Sequence, residues 1–285
     1  MAVYFKYHAL GNDYLVIDPA RAAIALTPTA IRLLCDRHRG VGGDGVLYGP
    51  LREDGRLAVR IFNADGSEAE KSGNGLRIFA RYLLEAGYVD GLECSVATIA
   101  GDARIHFDTP DGRLSTVDMG RLTFSSREIP VAGPPRQVLQ ETIEVGGRTF
   151  EISAASLGNP HCVVFVDEPN RELACTFGPL LEQHPLFPRR ANVQFARVLD
   201  AATLQIEIWE RGSGYTLASG SSSCAAAGVA YRLGQCAGEV VVHMPGGTTR
   251  VWIDQEWRVR LQGPVASVGW GQLTEEFLAR LRQEV

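Results

Sequence analysis

The chain has 285 residues, of which 45% are hydrophobic and 21% charged, and its formal net charge is −5. This composition is ordinary for a globular protein, and the length suits two lobes of about 140 residues better than one core. We expect a cytoplasmic protein without a nucleic-acid or membrane partner, because no basic surface, signal-peptide pattern or apolar run of roughly 18 residues is present.

The first half of the chain mixes short strand patterns with two helical ones. Strands are predicted at 3–7, 14–18, 57–63, 93–98 and 103–107. A helix is predicted over 29–37, with Thr27 as its cap and Pro28 in its first turn, and a glycine-rich turn follows at 40–45. A second helix is predicted over 73–86, where Leu76, Phe79 and Leu83 recur at helical spacing.

The second half shows the same mixture. Strands are predicted at 149–154, 162–166, 203–210, 239–243 and 250–254. Helices are predicted at 220–233, whose small residues indicate deep burial, and at 274–282. The stretch 130–135, rich in proline, is the most loop-like and is expected near the boundary between the two lobes.

The two halves repeat one another at an offset of 147 residues. The segment from Ala9 to Asn12 recurs from Ser156 to Asn159, and Ser72-Gly73 recurs as Ser219-Gly220. This duplication predicts an α+β fold of two pseudo-symmetric lobes, 1–125 with 270–285 and 126–269, with the active site in the cleft between them. Two facing lobes suit a reaction that removes a proton from one face of an atom and returns it to the other.

Cysteine spacing gives no metal motif. No two of the six cysteines form a CxxC pair, so neither zinc nor an iron–sulfur cluster is predicted, and the thiols are expected to be reduced and mostly buried. The six are Cys35, Cys94, Cys162, Cys175, Cys224 and Cys236.

Each Ser-Gly pair follows a polar, glycine-containing loop and opens a predicted helix. The backbone N–H groups at a helix start can bind a carboxylate. Serine is also a common helix cap, so either motif alone fits a structural role, but its recurrence favours a matched pair of binding sites. The paired Gly-Asn turns at Asn12 and Asn159 are expected to point side chains into the same site, and His161, Asn192 and Arg211 add groups suited to a polar substrate.

At these residues the chain resembles the diaminopimelate epimerases nearly from end to end. The matching segments are 8–18, 36–42, 62–68, 73–77, 157–162, 190–192, 210–212 and 245–247. The resemblance implies two α/β lobes, each a curled mixed sheet around a central helix. It also implies a cofactor-independent isomerase, with an amino-acid substrate and a possible homodimer.

The resemblance further implies which residues form the site. The family inverts an α-carbon with two cysteines, and the corresponding positions here are Ser72 and Ser219, which we expect to transfer protons with help from His161 or Glu210. The helix-start amides would hold the α-carboxylate, and asparagine and arginine side chains would hold the distal end. The expected substrate contacts are Asn12, Asn63, Gly73, Asn74, Asn159, Asn192, Arg211, Gly220 and Ser221.

The two serines depart from the family pattern, as does Ser222, which stands where the family commonly has glycine. Hydroxyls ionise far less readily than thiols and need an adjacent base. The family's second, non-catalytic cysteine corresponds to Cys224. Three explanations stay open: a natural relative with altered epimerase, isomerase or dehydratase chemistry on diaminopimelate or another amino acid, an engineered form that traps substrate, and a silent amino-acid binder. The added change at Ser222 argues against engineering.

Overall fold

The computed structural model describes residues 2–22, 24–53 and 55–283, which form two compact units. The first unit is Met1–Val117 with Gly263–Val285, and the second is Asp118–Gln262. Residues 118–125 therefore lie in the second unit and 263–269 in the first, whereas the sequence placed each segment in the other lobe. The turns at 130–135 lie within the second unit.

The described residues form eighteen strands and five helices. The strands are β1 (Ala2–Ala9), β2 (Asn12–Ile17), β3 (Gly45–Glu53), β4 (Arg56–Asn63), β5 (Glu68–Ala69), β6 (Glu93–Thr98), β7 (Gly101–Phe107), β8 (Leu114–Arg121), β9 (Glu141–Val145), β10 (Arg148–Ser156), β11 (Pro160–Phe165), β12 (Asn192–Asp200), β13 (Thr203–Glu210), β14 (Gly214–Thr216), β15 (Glu239–Met244), β16 (Gly247–Ile253), β17 (Arg258–Pro264) and β18 (Ala266–Leu273). The helices are α1 (Pro28–Cys35), α2 (Gly73–Glu85), α3 (Arg171–Glu182), α4 (Gly220–Arg232) and α5 (Glu275–Gln283). None of these helices is both long and apolar enough to cross a bilayer.

The first unit is a mixed sheet built around α2. Strand β2 runs antiparallel to β1 and parallel to β3, and β4 runs antiparallel to β3 and parallel to β6. The C-terminal strand β18 pairs with β1. All residues of α2 from Gly73 to Leu83 are buried, because the helix contacts β1, β2, β3, β6 and β7.

The second unit repeats this plan around α4. Strand β11 runs antiparallel to β10 and parallel to β12, and β13 runs antiparallel to β12 and parallel to β15. Strand β9 pairs with β10 and so occupies the place that β18 takes beside β1. Residues 222–230 of α4 are buried. Their small side chains allow this close packing, as the sequence predicted.

The internal repeat extends to strand register. Tyr14 pairs with Gly45 between β2 and β3, and the residues 147 positions later, His161 and Asn192, pair between β11 and β12. Helices α2 and α4 have 13 residues each and begin at Gly73 and Gly220, which are separated by the same offset. The predicted α+β fold with an internal duplication is confirmed.

Most predicted elements are present, with ends shifted by one to three residues. Thr27 caps α1 as predicted, because its hydroxyl oxygen accepts a hydrogen bond from the Ala30 N–H at 3.1 Å. The six cysteines are free; Cys35, Cys162 and Cys224 are buried, and Cys175 is exposed.

Candidate functional site

The residues predicted for the site form two groups, one in each unit, and each group includes the first residues of a central helix. The first half-site comprises Asn12, Asn63, Ser72, Gly73 and Asn74. The second half-site comprises Asn159, His161, Asn192, Glu210, Arg211, Ser219, Gly220 and Ser221. Every residue predicted for the site belongs to one of these groups.

Ser72 combines a cap with a second hydroxyl contact. Its extended backbone places the Oγ where it accepts a hydrogen bond from the Gly75 N–H at 3.0 Å, which caps α2. The same Oγ lies 3.3 Å from the phenolic oxygen of Tyr14, and either hydroxyl can donate. Ser72 is half-buried, and Tyr14 is 6% exposed.

A chain of hydrogen bonds holds the two asparagines of the first half-site. The Asn74 Nδ2 donates to the Asn12 Oδ1 at 3.1 Å, and the Arg77 Nη2 donates to the Asn74 Oδ1 at 2.7 Å. Arg77 also donates to the Gly73 carbonyl at 3.2 Å, and its side chain is fully buried. A Cβ at Gly263 would lie 3.0 Å from the Arg77 Nη2, so glycine there makes room for the guanidinium. The arrangement fixes the side chains at the start of α2.

A charged cluster supports Asn12 from its other side. The Asn12 Nδ2 donates to Asp44 at 2.9 Å, and Arg37 donates to both Asp44 and Asp13 at 2.7 Å. Lys6 lies 3.0 Å from Asp13. Burial acts to raise the pKa of Asp13, but the hydrogen bonds from Arg37 and Lys6 outweigh it and lower that pKa below its ordinary value.

Asn63 lies at the end of β4, in a tight turn. Its Nδ2 donates to the Ser67 Oγ at 3.0 Å, and its backbone N–H donates to the Ser67 carbonyl at 2.9 Å. Asn63 pairs with Gly45, which in turn pairs with Tyr14, so the three residues lie in one row across the sheet.

Ser219 caps α4 but is more enclosed than Ser72, with 3% of its surface exposed. Its Oγ accepts from the Ser222 N–H at 3.4 Å, which is a longer contact than the matching one in α2. The Ser222 Oγ accepts from the Gln194 Nε2 at 3.0 Å. The serine at position 222 therefore ties the first turn of α4 to β12, a contact that glycine could not make.

His161 is fully buried and lies against Asn159. Its Nε2 is 3.0 Å from the Asn159 Oδ1, and the Asn159 Nδ2 lies 3.4 Å from the Ser221 Oγ. Burial lowers the pKa of His161 to about 3; the Gln194 amide partly offsets this, and the charge of Arg211 adds to it. The imidazole is therefore neutral at neutral pH.

The remaining residues of the second half-site lie at the ends of β12 and β13. Asn192 donates from its Nδ2 to the Pro160 carbonyl at 3.0 Å and accepts from the Arg211 N–H at 3.0 Å. Arg211 is exposed, and its Nη1 donates to the Arg189 carbonyl at 3.2 Å. Glu210 is half-buried and opposite Gly214. This half-site therefore adds a cation and a carboxyl group to its amides and hydroxyls, whereas the five residues of the first half-site include no charged side chain.

Sequence reasoning missed several residues that contact the site, among them Tyr14, Asp44, Arg77 and Gln194. For Tyr14 the signal was present, because it lies 147 positions before His161, the offset that relates the two halves. Arg77 belongs to the matching segment 73–77, but the sequence did not show that it contacts Gly73 and Asn74, and nothing in the pattern of β12 marked Gln194. Among the described residues, no three His, Cys, Asp or Glu side chains lie close enough together to bind a metal ion.

Comparison with known proteins assigns the chain to a family. The family model described as diaminopimelate epimerase matches residues 4–125 and 153–267. The chain is 50% identical to diaminopimelate epimerase 2 of Nostoc sp., over 97% of each chain. It is 40% identical to the diaminopimelate epimerase of Moorella thermoacetica, over 93% of this chain and 96% of the relative.

Solved structures agree on the fold. A hydroxyproline epimerase from Agrobacterium vitis matches with a TM-score of 0.74 at 15% identity, over 95% of this chain and 90% of that one. A probable proline racemase from Agrobacterium radiobacter K84 matches with a TM-score of 0.71 at 16% identity, over 96% and 93%. Since the family model and the relatives each match nearly the whole chain, the protein belongs to the diaminopimelate epimerase family, a family of isomerases.

Proposed function

We propose that the protein is a cofactor-independent amino-acid epimerase that inverts LL-diaminopimelate, or a related amino acid, by two-base proton transfer at the α-carbon. Ser72 and Ser219 take the proton-transfer positions in this proposal. One hydroxyl removes the α-proton from one face of the carbon, and the other delivers a proton to the opposite face. The proposal places both half-sites on one substrate.

One observation carries the proposal. Ser72 and Ser219 cap two buried helices of equal length at equivalent positions. Two residues after each cap, Asn74 and Ser221 contact the amide side chains of Asn12 and Asn159. Two-base inversion needs matched groups of this kind. The exposed guanidinium of Arg211 suits the charged distal end of a diamino acid, since arginine binds carboxylates well. In this proposal Glu210 or His161 assists the serines in proton transfer.

A silent amino-acid binder is the second candidate. The observation in its favour is that both serines accept backbone hydrogen bonds as ordinary helix caps do, which requires no catalysis. A silent binder would retain affinity for the amino acid without exchanging its α-proton.

Proton NMR in heavy water separates the two candidates. With LL-diaminopimelate, and then with a panel of other amino acids, we expect loss of the α-proton signal and appearance of the opposite stereoisomer. Ser72→Ala and Ser219→Ala should each reduce inversion by about 100-fold or more, the usual size of an acid–base contribution. Asn170→Ala is the matched control, because it removes the cap of α3 without touching either half-site. Binding without exchange would overturn the proposal in favour of the binder.

The protein is also proposed to form a homodimer. Val268 and Trp270 are 58% and 73% exposed, and they lie two residues apart on β18. An exposed apolar pair of this kind fits a second copy of the chain. Light scattering should give twice the monomer mass, and Trp270→Ser should shift the protein toward monomer. A monomeric wild type at micromolar concentration would contradict this proposal.

A further inference from the structure

The contact between Tyr14 and Ser72 bears on how a hydroxyl could replace a thiol. The two oxygens lie 3.3 Å apart, within hydrogen-bonding reach, at the start of α2. Tyr14 is buried, so its hydroxyl is held in place and does not move freely in solvent. A hydroxyl pair at a proton-transfer position can pass a proton from one oxygen to the other.

The position of the ring is set by the neighbouring strand. Tyr14 is opposite Gly45, and a Cβ on Gly45 would lie 2.6 Å from the Tyr14 Cε1. Only glycine leaves room for the ring there, since real Cβ contacts do not come so close. The phenol is therefore held over Gly45 with its hydroxyl directed at Ser72.

The internal repeat gives Tyr14 a counterpart. Tyr14 and His161 occupy equivalent positions on β2 and β11, with the same register to the next strand. Each unit thus places an aromatic side chain that can exchange a proton at the same point of its half-site. The two side chains have different partners: His161 contacts Asn159, whereas Tyr14 contacts Ser72.

We propose that Tyr14 is the proton partner of Ser72, so that the phenol and the serine hydroxyl together do what a cysteine thiol does elsewhere in the family. This rests on the proposed epimerase function. In the abstraction step the Ser72 oxygen takes the α-proton and gives its own proton to the Tyr14 phenolate; the C–H electron pair stays on the substrate. In the return step the Tyr14 hydroxyl reprotonates Ser72 as Ser72 delivers its proton to the carbanion.

The chemistry favours a phenol in this position. Phenols ordinarily lose their proton near pH 10, close to the value of about 8.5 for thiols, whereas an aliphatic hydroxyl stays protonated across this range. In this proposal Ser72 exchanges the proton with the substrate, and the phenol of Tyr14 is the group that ionises. A thiol at position 72 would need no such partner, because it can ionise by itself.

This difference defines the experiment. The α-proton exchange rate in heavy water is measured for the wild type, Tyr14→Phe, Ser72→Cys, and the double variant Tyr14→Phe/Ser72→Cys. For the stereoisomer whose α-proton Ser72 removes, we expect Tyr14→Phe to slow exchange by about 10-fold or more with serine at position 72, and by less than about twofold with cysteine there. The exchange rate of the wild type should rise with increasing pH, and Ser72→Cys should move that rise to lower pH.

Tyr7→Phe is the matched control. Tyr7 is buried opposite Tyr14 on the neighbouring strand, but its hydroxyl donates to Glu85 at 2.6 Å, so losing it should leave exchange unchanged. An equal loss from Tyr14→Phe in both backgrounds would mean that the phenol is only structural and would overturn the inference. Undiminished exchange in Tyr14→Phe would overturn it while leaving the epimerase proposal intact. Exchange by Ser72→Cys together with none by the wild type would contradict the serine chemistry itself.

Discussion

In the second half-site, burial strongly lowers the pKa of His161, and this affects the stability of the fold. Its pKa is lowered to about 3 in the folded protein, because burial disfavours the charged imidazolium, whereas an unfolded histidine titrates near 6.5. Between these two values the unfolded chain binds a proton that the folded protein does not. The free energy of unfolding must therefore fall as the pH drops below about 6.5, and His161 has no such effect above that pH.

This gives a stability prediction with a fixed sign. From pH 7.5 to pH 5, His161 should cost the fold about 2 kcal/mol, given 1.36 kcal/mol per pKa unit. Urea unfolding at the two pH values should show a smaller acid-induced loss for His161→Gln than for the wild type. The carboxyl groups titrate in both proteins, so their contribution cancels in the difference. Equal losses would mean that His161 is protonated in the folded state.

At the same scale, the sequence predicts the residue types of the site but not which of these residues are in contact. The matched serines, the Gly-Asn turns and His161 could be read from spacing alone. The approach of Tyr14 to Ser72 could not, because it depends on the missing Cβ of Gly45 in the next strand. Long-range contacts of this kind follow from register, and register is fixed only once the strands pair.

At the scale of elements, a strand and a helix that contain a Gly-Pro pair were not predicted from the sequence. Strand β3 contains Gly49-Pro50, and helix α3 contains Gly178-Pro179; neither element was predicted. Both pairs are typical of turns. Strand β3 accommodates its pair through a shift in register between Tyr48 and Leu51. Helix α3 includes Pro179 because its packing against β12 and β13 outweighs local preference.

Gly178 lies where helix α3 packs closely against Trp209 of β13. A Cβ there would lie 2.6 Å from the Cβ and Cγ of Trp209, which are atoms near the backbone that cannot swing aside. Gly178→Ala should therefore lower the free energy of unfolding by about 1–3 kcal/mol, even though alanine favours helices by roughly 1 kcal/mol. Denaturant titration measures this. Thr176→Ala, at an exposed position of the same helix, should leave stability unchanged or slightly raised; the same outcome for Gly178→Ala would contradict the packing argument.

At the scale of the whole molecule, the duplication supplies two copies of one fold that carry different side chains at equivalent positions. Equivalent positions hold Tyr14 and His161, Gly45 and Asn192, and Asn63 and Glu210. In each pair the second residue lies 147 positions after the first. The helix starts remained alike while the strand ends diverged. This division suits a reaction that treats two faces of one carbon alike but must distinguish the substrate's two ends.

The duplication leads to a prediction about stereochemistry. If Ser72 and Ser219 serve opposite faces of the α-carbon, each single alanine variant loses inversion but keeps one working proton-transfer group. That group can still remove and return the proton on its own face, which exchanges it for deuterium with retention of configuration. Ser72→Ala should therefore exchange only one of the two stereoisomers in heavy water, and Ser219→Ala only the other. NMR of each variant with each stereoisomer measures the four rates. Exchange of the same stereoisomer by both variants would be incompatible with two-base transfer, because it would leave all proton movement on one face.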